Sequence, residues 1–339
     1  MTNKDFDKLP EKRIEVKGLP KTTLDDLPAY YQTLGDGSRE LLGIETGITE
    51  LDKATMGLSG VILLGGTAGV GKTSLALQIA YEACMRGTPI IYYSLEMPKR
   101  AIYTKILNRL SRVGYSEILL KGKPYLDPEA EEKDLMGGEV DHKNLFTKDE
   151  KDALKQAQER LVKVGDSLYI RSRERNEAKI NFKTLEAEID LVKSKHNADK
   201  VLVVIDHLQV FDFRENEKDR ASDQVDKESR LITGFKGVSE NTDTPILLIS
   251  QKNKEGMKKD GSKYGSSLSD IKGSVDLIYL ADIVIFLEGE NESDDEKMFS
   301  NGYKKIKVKI VKNRYNYPKE LNAIFDGKNS NFEITQPRF

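Results

Sequence analysis

The sequence contains a single cysteine, Cys84, and three histidines that lack the spacing of metal ligands. A lone cysteine excludes an internal disulfide framework and a cysteine-rich zinc site. No apolar run approaches the roughly 20 residues that a membrane-spanning helix needs. The first residues, MTNKDFDKLPEKRIEVKG, have no apolar signal core, and their acidic residues are atypical of a mitochondrial transit peptide. We therefore expect a reduced, cytoplasmic protein.

Neither sign of charge dominates the chain, which has 54 basic and 56 acidic residues among its 339. This near balance predicts no particular partner. Residues 1–40 are charged and interrupted by three prolines, which is typical of an arm or linker. The arm contains apolar residues at helical spacing, namely Leu24, Leu27, Tyr31 and Leu34. A helix there would dock either on its own chain or on a neighbouring subunit, and the spacing leaves both open.

From about residue 43 to 326, short apolar runs alternate with helical patterns. The runs are GVILLGG, PIIYYS, VLVVID, PILLIS and DIVIFL. Such β-branched, almost continuously apolar runs are typical of strands buried on both faces of a parallel sheet. Among the helices between them, one has a capping box at Thr147 and Glu150 and can end at Gly165. The alternation predicts a doubly wound α/β fold, and we assign residues 41–339 to one domain.

A later segment, IKVKIVKNRYN, alternates apolar and basic residues. Its Ile306, Val308 and Ile310 would face a core while the lysines between them face water, which predicts a half-buried strand. The strand ends on Lys312 and Arg314, and the nearby sequence offers them no obvious anionic partner.

The segment GGTAGVGKTS lies between a strand and an apolar-faced helix, so its match to G-x-x-x-x-G-K-[ST] has the context that gives this motif meaning. Its glycines allow backbone N–H groups to surround phosphate oxygens. Lys72 would reach the β- and γ-phosphates, and Thr73 would bind Mg²⁺. The predicted ATP site comprises Gly66, Thr67, Ala68, Gly69, Val70, Gly71, Lys72, Thr73 and Ser74.

Polar residues follow three of the predicted strands, at the sheet edge where parallel sheets bind ligands. Asp206 ends VLVVID, and a buried carboxylate there predicts a second Mg²⁺ ligand. Glu96 follows PIIYYS and would either orient the attacking water or be a solvated surface residue. Gln251 follows PILLIS and could contact the γ-phosphate, although a polar residue ends most strands.

Several motifs occur together in the order LLGIETGITELDKATMGL, the phosphate loop, YSLEM, VVIDHLQ, LISQKN and SDIKGSVDLIYLADIVIFL. Over about residues 41–326 this order resembles the RecA-like motor domain of DnaB-type replicative ring helicases and their phage and mitochondrial relatives. The resemblance implies a RecA-like P-loop NTPase fold and an ATP-driven DNA helicase. It also implies a hexameric ring around single-stranded DNA that acts in replication.

The resemblance assigns a role to each strand-end residue. It implies that Glu96 is the catalytic glutamate, Asp206 the metal-site aspartate and Gln251 the γ-phosphate sensor. It further implies that Lys312 and Arg314 act on the nucleotide of the neighbouring subunit, where a guanidinium neutralises charge on the transferred phosphoryl group. A solvated basic strand end is the simpler alternative for these two cations.

The polynucleotide contacts of this family lie on channel loops. Lys272, Gly273 and Ser274 match one such loop. The preceding segment has a local excess of lysines over acidic residues, which favours grip on a phosphate backbone. These lysines are Lys252, Lys254, Lys258, Lys259 and Lys263. A basic surface loop without function is the alternative for any single lysine.

Two departures from the family pattern concern these regions. The family usually has a glycine soon after K-x-R, whereas YNYPK follows it here. Within YNYPK, Asn316 is the residue that adopts a left-handed conformation most easily. Val275 also occupies a position where glycine is common. The resemblance does not extend to the N-terminal helical domain of the bacterial helicases or to the primase domain of the phage type, so it does not imply a loader or primase partner. The alternative functions are a RecA- or RadA-like repair ATPase and a clock-type ATPase.

Overall fold

The structure is a computed structural model that describes residues 41–125, 146–172, 180–211, 224–250, 275–289 and 302–335. The chain divides into two compact units, Met1–Glu40 and Leu41–Phe339. In the first unit the structure describes only Thr23, Leu27 and Tyr31, which are helical. None of the helices in the described ranges combines the length and apolarity needed to span a bilayer.

The second unit is built on one sheet, which has nine strands within the described ranges, in the order β3-β2-β4-β5-β1-β6-β7-β8-β9. The first six of these in sheet order are parallel, and β7, β8 and β9 continue the sheet antiparallel. The strands are β1 Val61–Gly66, β2 Ile90–Ser94, β3 Leu168–Ser172, β4 Leu202–Asp206, β5 Ile246–Ile249, β6 Ile283–Gly289, β7 Tyr303–Asn313, β8 Lys319–Asp326 and β9 Asn331–Thr335.

Helices connect the parallel strands and cover both faces of the sheet. They are α1 Thr49–Thr55, α2 Lys72–Met85, α3 Lys99–Ser111, α4 Tyr115–Tyr125, α5 Lys148–Val164, α6 Phe182–His196, α7 Gln224–Asn241 and α8 Val275–Leu280, with a 3₁₀ turn at Leu208–Val210. Residues of α2 and α3 share one core with Ile62 and Leu64 of β1. Residues of α6 and α7 share a second core with Val61 and Leu63.

These two cores explain why the central strands are apolar at almost every position. Successive side chains of a strand point to opposite faces, and here each face is covered by helices. All residues of β1, β2, β4 and β5 are buried. The doubly wound α/β fold predicted from the sequence is therefore confirmed, as is the capping box of α5, in which Thr147 accepts from the Glu150 N–H. Gly165 does end this helix, but in a right-handed conformation.

The half-buried strand predicted near the end of the chain is also confirmed. Ile306, Val308 and Ile310 of β7 are buried, and the lysines between them are more exposed. Lys307 and Lys309 form ion pairs across the sheet with Glu320 and Glu288. The sheet extends past residue 326, where the predicted α/β pattern ended. The sequence pattern missed β9 because this strand is short and of mixed polarity.

Strand β9 is held against α2, the helix that follows the phosphate loop. The side-chain amide of Gln78 donates to the Phe332 carbonyl at 3.0 Å and accepts from the Phe332 N–H at 2.8 Å. Because both partners are buried, this amide satisfies two backbone groups that water cannot reach.

We expect Gln78→Ala to lower the free energy of unfolding by about 2 kcal/mol, because it leaves a buried backbone donor and acceptor unpaired. Urea denaturation followed by circular dichroism measures this. Gln156→Ala, on the exposed side of α5, is the matched control and should stay within about 0.5 kcal/mol of the parent. Equal midpoints for the two variants would contradict the role given to Gln78.

Candidate nucleotide site

The phosphate loop leaves the carboxyl end of β1 and enters α2 within six residues. Gly69 and Gly71 have φ values of +76° and +98°, which favour glycine. A Cβ on Gly71 would also lie 2.7 Å from the Phe332 ring. The sequence-predicted residues Gly66 to Ser74 thus run without a break from the end of β1, through the loop, into the first turn of a 14-residue helix. This arrangement directs backbone N–H groups toward an anion.

Lys72 lies over this loop. Its Nζ donates to the carbonyl oxygens of Gly66 and Thr67, both at 2.8 Å. Burial lowers the pKa of Lys72, while the nearby carboxylates of Asp206 and Glu96 oppose that shift. The ammonium group is therefore held at the phosphate loop, where it could bind a phosphate oxygen.

Asp206 ends β4 and is almost completely buried. Burial raises the pKa of its carboxyl group, and hydrogen bonds from the Tyr92 and Thr73 hydroxyls oppose the rise. The Tyr92 Oη donates to Asp206 Oδ2 at 2.8 Å. A buried carboxylate next to a threonine hydroxyl at a phosphate loop is a suitable donor set for Mg²⁺, so the residues present fit this ion.

Glu96 lies just past β2, and its side chain is 63% exposed. Its Oε2 is 2.9 Å from Nδ1 of His207, which follows Asp206. Glu96, Asp206 and His207 each offer one atom that could bind a metal ion, and these three atoms lie within 4.8 Å of one another. The structure therefore brings the two predicted carboxylates together beside the phosphate loop.

Sequence reasoning missed several residues of this site. His207 shows no ligand spacing along the chain and becomes relevant only because β2 and β4 are neighbours. Tyr92 lies in an apolar strand, where nothing in the sequence indicates a polar contact. In the strand register Ser94 pairs with Asp206, and this pairing places Tyr92 near Asp206. Lys105 on α3 is also close to Asp206: burial lowers the pKa of Lys105, and the carboxylate opposes that shift.

A further lysine reaches the phosphate loop from β7. The Lys304 Nζ donates to the Gly69 carbonyl at 3.2 Å. Nothing in the sequence indicated this contact, because Lys304 is one of several lysines in the basic strand β7.

Other predicted residues lie outside the described part of the chain. Ser250, the last described residue after β5, is buried, and its Oγ accepts from Gln209 Nε2 at 2.9 Å. The predicted γ-phosphate contact, Gln251, comes directly after it and lies outside the described residues. So do the predicted DNA contacts Lys252, Lys254, Lys258, Lys259, Lys263, Lys272, Gly273 and Ser274.

Lys312 and Arg314 lie at the opposite edge of the sheet from the phosphate loop. Their strand, β7, runs antiparallel to β6, so Asn313 pairs with Ile283 at the amino end of β6. Ile283 pairs in turn with Ile62, which is four residues before Gly66, a separation of about 13 Å along the strand. Lys312 and Arg314 therefore lie away from the nucleotide site of their own chain.

Arg314 does have an anionic partner, Asp282, contrary to the expectation from the nearby sequence. Its Nη1 lies 3.2 Å from Asp282 Oδ1, and its backbone N–H donates to the Asp282 carbonyl at 3.0 Å. Lys236 and the Val61 N–H also bind this buried carboxylate. Asp282 was missed because the residues that surround it are far apart in sequence.

Lys312 is not simply solvated either. Its Nζ donates to the Ile278 and Tyr279 carbonyls at 2.9 Å and 2.6 Å, at the C-terminus of α8. Burial and the neighbouring Arg314 lower the pKa of Lys312. The ammonium group thus compensates the negative end of the α8 helix dipole.

A protein-family model described as the DnaB-like helicase C-terminal domain matches residues 43–164 and 130–334. The chain belongs to this family. The match covers every described residue of the nucleotide site and extends into β9. It favours the DnaB-like helicase interpretation over a recombination ATPase.

Named relatives agree with this assignment. The replicative DNA helicase DnaB of Leifsonia xyli subsp. xyli is 25% identical over 306 residues, which is 89% of this chain and 58% of that protein. DnaB of Geobacillus stearothermophilus is 25% identical over 276 residues, 80% of this chain and 52% of that protein. The chain thus spans somewhat more than half the length of these relatives.

Two solved structures have the same fold. One, described as an ATPase domain, superposes with a TM-score of 0.72 at 18% identity, covering 94% of this chain and 100% of that one. A DnaB-like replicative helicase, described with its interactions with primase, gives a TM-score of 0.71 at 19% identity, covering 94% of this chain and 68% of that one. The RecA-like fold predicted from the motifs is thereby confirmed.

We expect Tyr92→Phe to raise the Mg²⁺ concentration for half-maximal nucleotide hydrolysis about tenfold, because Asp206 loses the hydrogen bond that favours its ionised form. Titration of Mg²⁺ at saturating ATP measures this. The matched control is Tyr93→Phe, whose hydroxyl donates instead to Glu188 Oε2 at 2.7 Å. An equal Mg²⁺ requirement in both variants would argue against a role for Tyr92 at the metal site.

Proposed function

We propose that this chain is the motor domain of an ATP-driven ring helicase that translocates on single-stranded DNA during replication. One observation carries the proposal. A phosphate loop with two carboxylates lies at one edge of the sheet, and Lys312 and Arg314 lie at the other. Because these cations lie away from the nucleotide of their own chain, they would act on the nucleotide of a head-to-tail neighbour, and such contacts can close into rings.

In the proposed reaction, Lys72 and the N-terminus of α2 bind the triphosphate. Glu96 lies beside them and orients the attacking water, and it takes up a proton from this water as the new P–O bond to the γ-phosphorus forms. The bond from the γ-phosphorus to the bridging oxygen breaks, and ADP leaves with that oxygen. Mg²⁺, held by Thr73 and Asp206, would neutralise charge on the phosphate oxygens when bound. Arg314 of the neighbouring subunit neutralises the charge that develops on the transferred phosphoryl group.

The proposal extends to the parts of the chain that the structure does not describe. We keep Gln251 as the contact that senses the γ-phosphate, and the lysines between residues 252 and 272 as contacts to the DNA backbone. Of the two docking modes left open for the arm at residues 1–40, we propose the one in which it docks on a neighbouring subunit. Support comes from the family to which the chain belongs and from the likeness to proteins named replicative DNA helicases.

We expect Lys72→Ala to abolish ATP binding and hydrolysis, because the phosphates lose the ammonium group that is held at the mouth of the loop. Binding is measured with a fluorescent ATP analogue. Lys151→Ala on α5, outside the loop, is the control for the loss of one positive charge. Unchanged binding by the Lys72 variant would refute the assignment of the site.

We expect Arg314→Ala to keep ATP binding but to lower turnover roughly 10³-fold, because the developing charge is no longer neutralised. The Glu96→Gln protein should also bind ATP and turn over slowly. When the two are mixed, an Arg314→Ala subunit can use the arginine of an adjacent Glu96→Gln subunit, which restores roughly a quarter of the sites in a random ring.

The mixture is assayed for ATP hydrolysis with single-stranded DNA present, and assembly is checked by sedimentation. Activity above the sum of the separate variants supports catalysis across subunits. If the mixed proteins assemble and still regain nothing, the assignment of Arg314 to a neighbouring site fails.

A further inference from the structure

The chain around Arg314 is a turn fixed by two asparagines. We call residues Asn313 to Tyr317 the Arg314 turn. The Asn313 amide donates to the Ala54 and Thr55 carbonyls at 3.3 Å and 3.1 Å, and the Asn316 amide donates to the Lys53 and Ala54 carbonyls at 3.3 Å and 3.2 Å. These carbonyls lie at the C-terminus of α1, so the turn caps that helix.

The same asparagines also bind the turn itself. Asn313 Oδ1 accepts from the Tyr315 N–H, and Asn316 Oδ1 accepts from the Tyr317 N–H, both at 2.9 Å. Asn316 does not have a positive φ, although it is the residue of this segment that could adopt the left-handed conformation most easily, and its side chain instead caps α1. The backbone of the turn is therefore fixed before any partner binds, which lowers the entropy cost of association.

While the asparagines bind inward, an arginine and three tyrosines are exposed. Arg314 is 48% exposed. Tyr315 and Tyr317 on the turn are 43% and 82% exposed, and Tyr279, whose carbonyl binds Lys312, is 68% exposed. Tyrosine and arginine are the residue types enriched at the energetic centres of protein interfaces, since a rigid ring buries much area at little entropy cost.

Charge favours a second copy of this chain as the partner. The turn and the strand end before it carry the cations Lys312 and Arg314, whereas the nucleotide edge carries the exposed Glu96 and would carry the phosphates of a bound nucleotide. The two edges lie at opposite ends of the same strands. One copy can therefore place its turn against the nucleotide edge of the next, and the contact repeats around a ring.

From this geometry we propose that Tyr279, Tyr315 and Tyr317 form a docking surface for the nucleotide edge of a second copy of this chain. The tyrosines supply the apolar contact area and the asparagines its rigidity, so Arg314 is delivered in a fixed orientation. The inference rests on the proposed function, because it assumes that Arg314 acts across the subunit interface. It adds that assembly depends on the three tyrosines, whereas catalysis depends on Arg314 between two of them.

The test measures assembly and turnover separately in full-length Tyr317→Ala. Sedimentation velocity with Mg²⁺ and a non-hydrolysable ATP analogue gives the protein concentration at which half of the subunits are assembled. We expect Tyr317→Ala to raise this concentration at least about tenfold. At concentrations where the variant is fully assembled, its rate of ATP hydrolysis per subunit should equal that of the parent.

Leu191→Ala is the matched control, because Leu191 is a 70% exposed apolar residue on α6. It should assemble like the parent. Since Tyr317 is more exposed still, both variants should keep the parent's thermal unfolding midpoint. Arg314→Ala should show the opposite pattern to Tyr317→Ala, with near-normal assembly and lost turnover.

Three results would overturn the inference. The first is assembly of Tyr317→Ala at the parent's concentration. The second is turnover that stays low in the fully assembled variant, because Tyr317 would then belong to the catalytic machinery. The third is unchanged assembly with weaker binding of a single-stranded oligonucleotide, which would make the tyrosines a DNA contact. If the parent itself never assembles, the proposed function fails as well, so the two failures are distinguishable.

Discussion

The common direction of six strands is the constraint on which the whole site depends. Because β1, β2 and β4 are parallel neighbours or near neighbours, their carboxyl ends meet at one edge of the sheet. That edge receives Gly66, Glu96 and Asp206 from stretches of chain separated by up to 140 residues. The same constraint places the end of the antiparallel β7 at the other edge. A single sheet thus separates the phosphate site from the cations that would complete it.

Buried carboxylates organise both edges, and each is satisfied in a different way. Asp206 accepts from the hydroxyls of Tyr92 and Thr73 and remains available to a metal ion. Asp282 is bound by Lys236, Arg314 and a backbone N–H, so its charge is already compensated within the chain. A buried charge without partners is costly, which explains why each carboxylate lies where donors or cations converge. Asp206 can still bind a ligand, whereas Asp282 fixes the segment that carries Arg314.

Because Arg314 lies away from the nucleotide site of its own chain, its proposed action on a neighbouring site would give the subunit contact a functional role. If Arg314 acts on the adjacent site, the rate of ATP hydrolysis depends on the position of the neighbouring subunit. Subunit movement and turnover then become coupled. The rigid Arg314 turn suits this coupling, because an arginine on a loose loop would lose orientation between one state and the next. The turn is held by Asn313 and Asn316 on α1, the helix that precedes β1, so the two edges are linked through the first elements of the domain.

The sequence by itself determined the fold class and the positions of the phosphate loop, Glu96 and Asp206 at strand ends, because these depend on local pattern: continuous apolar runs, glycine spacing, and polar residues after strands. The proposed role of Glu96 came from the resemblance to the helicase family, since its spacing alone also fitted a solvated surface residue. It also determined the half-buried β7, whose alternation is a local property. The roles of Tyr92, His207 and Asp282 were decided only by the tertiary structure. Their partners are more than 30 residues distant in sequence, and only the order and register of the strands bring them within hydrogen-bonding distance. The same holds for the position of Arg314, since the edge at which a strand ends follows from its neighbours in the sheet and not from its own residues.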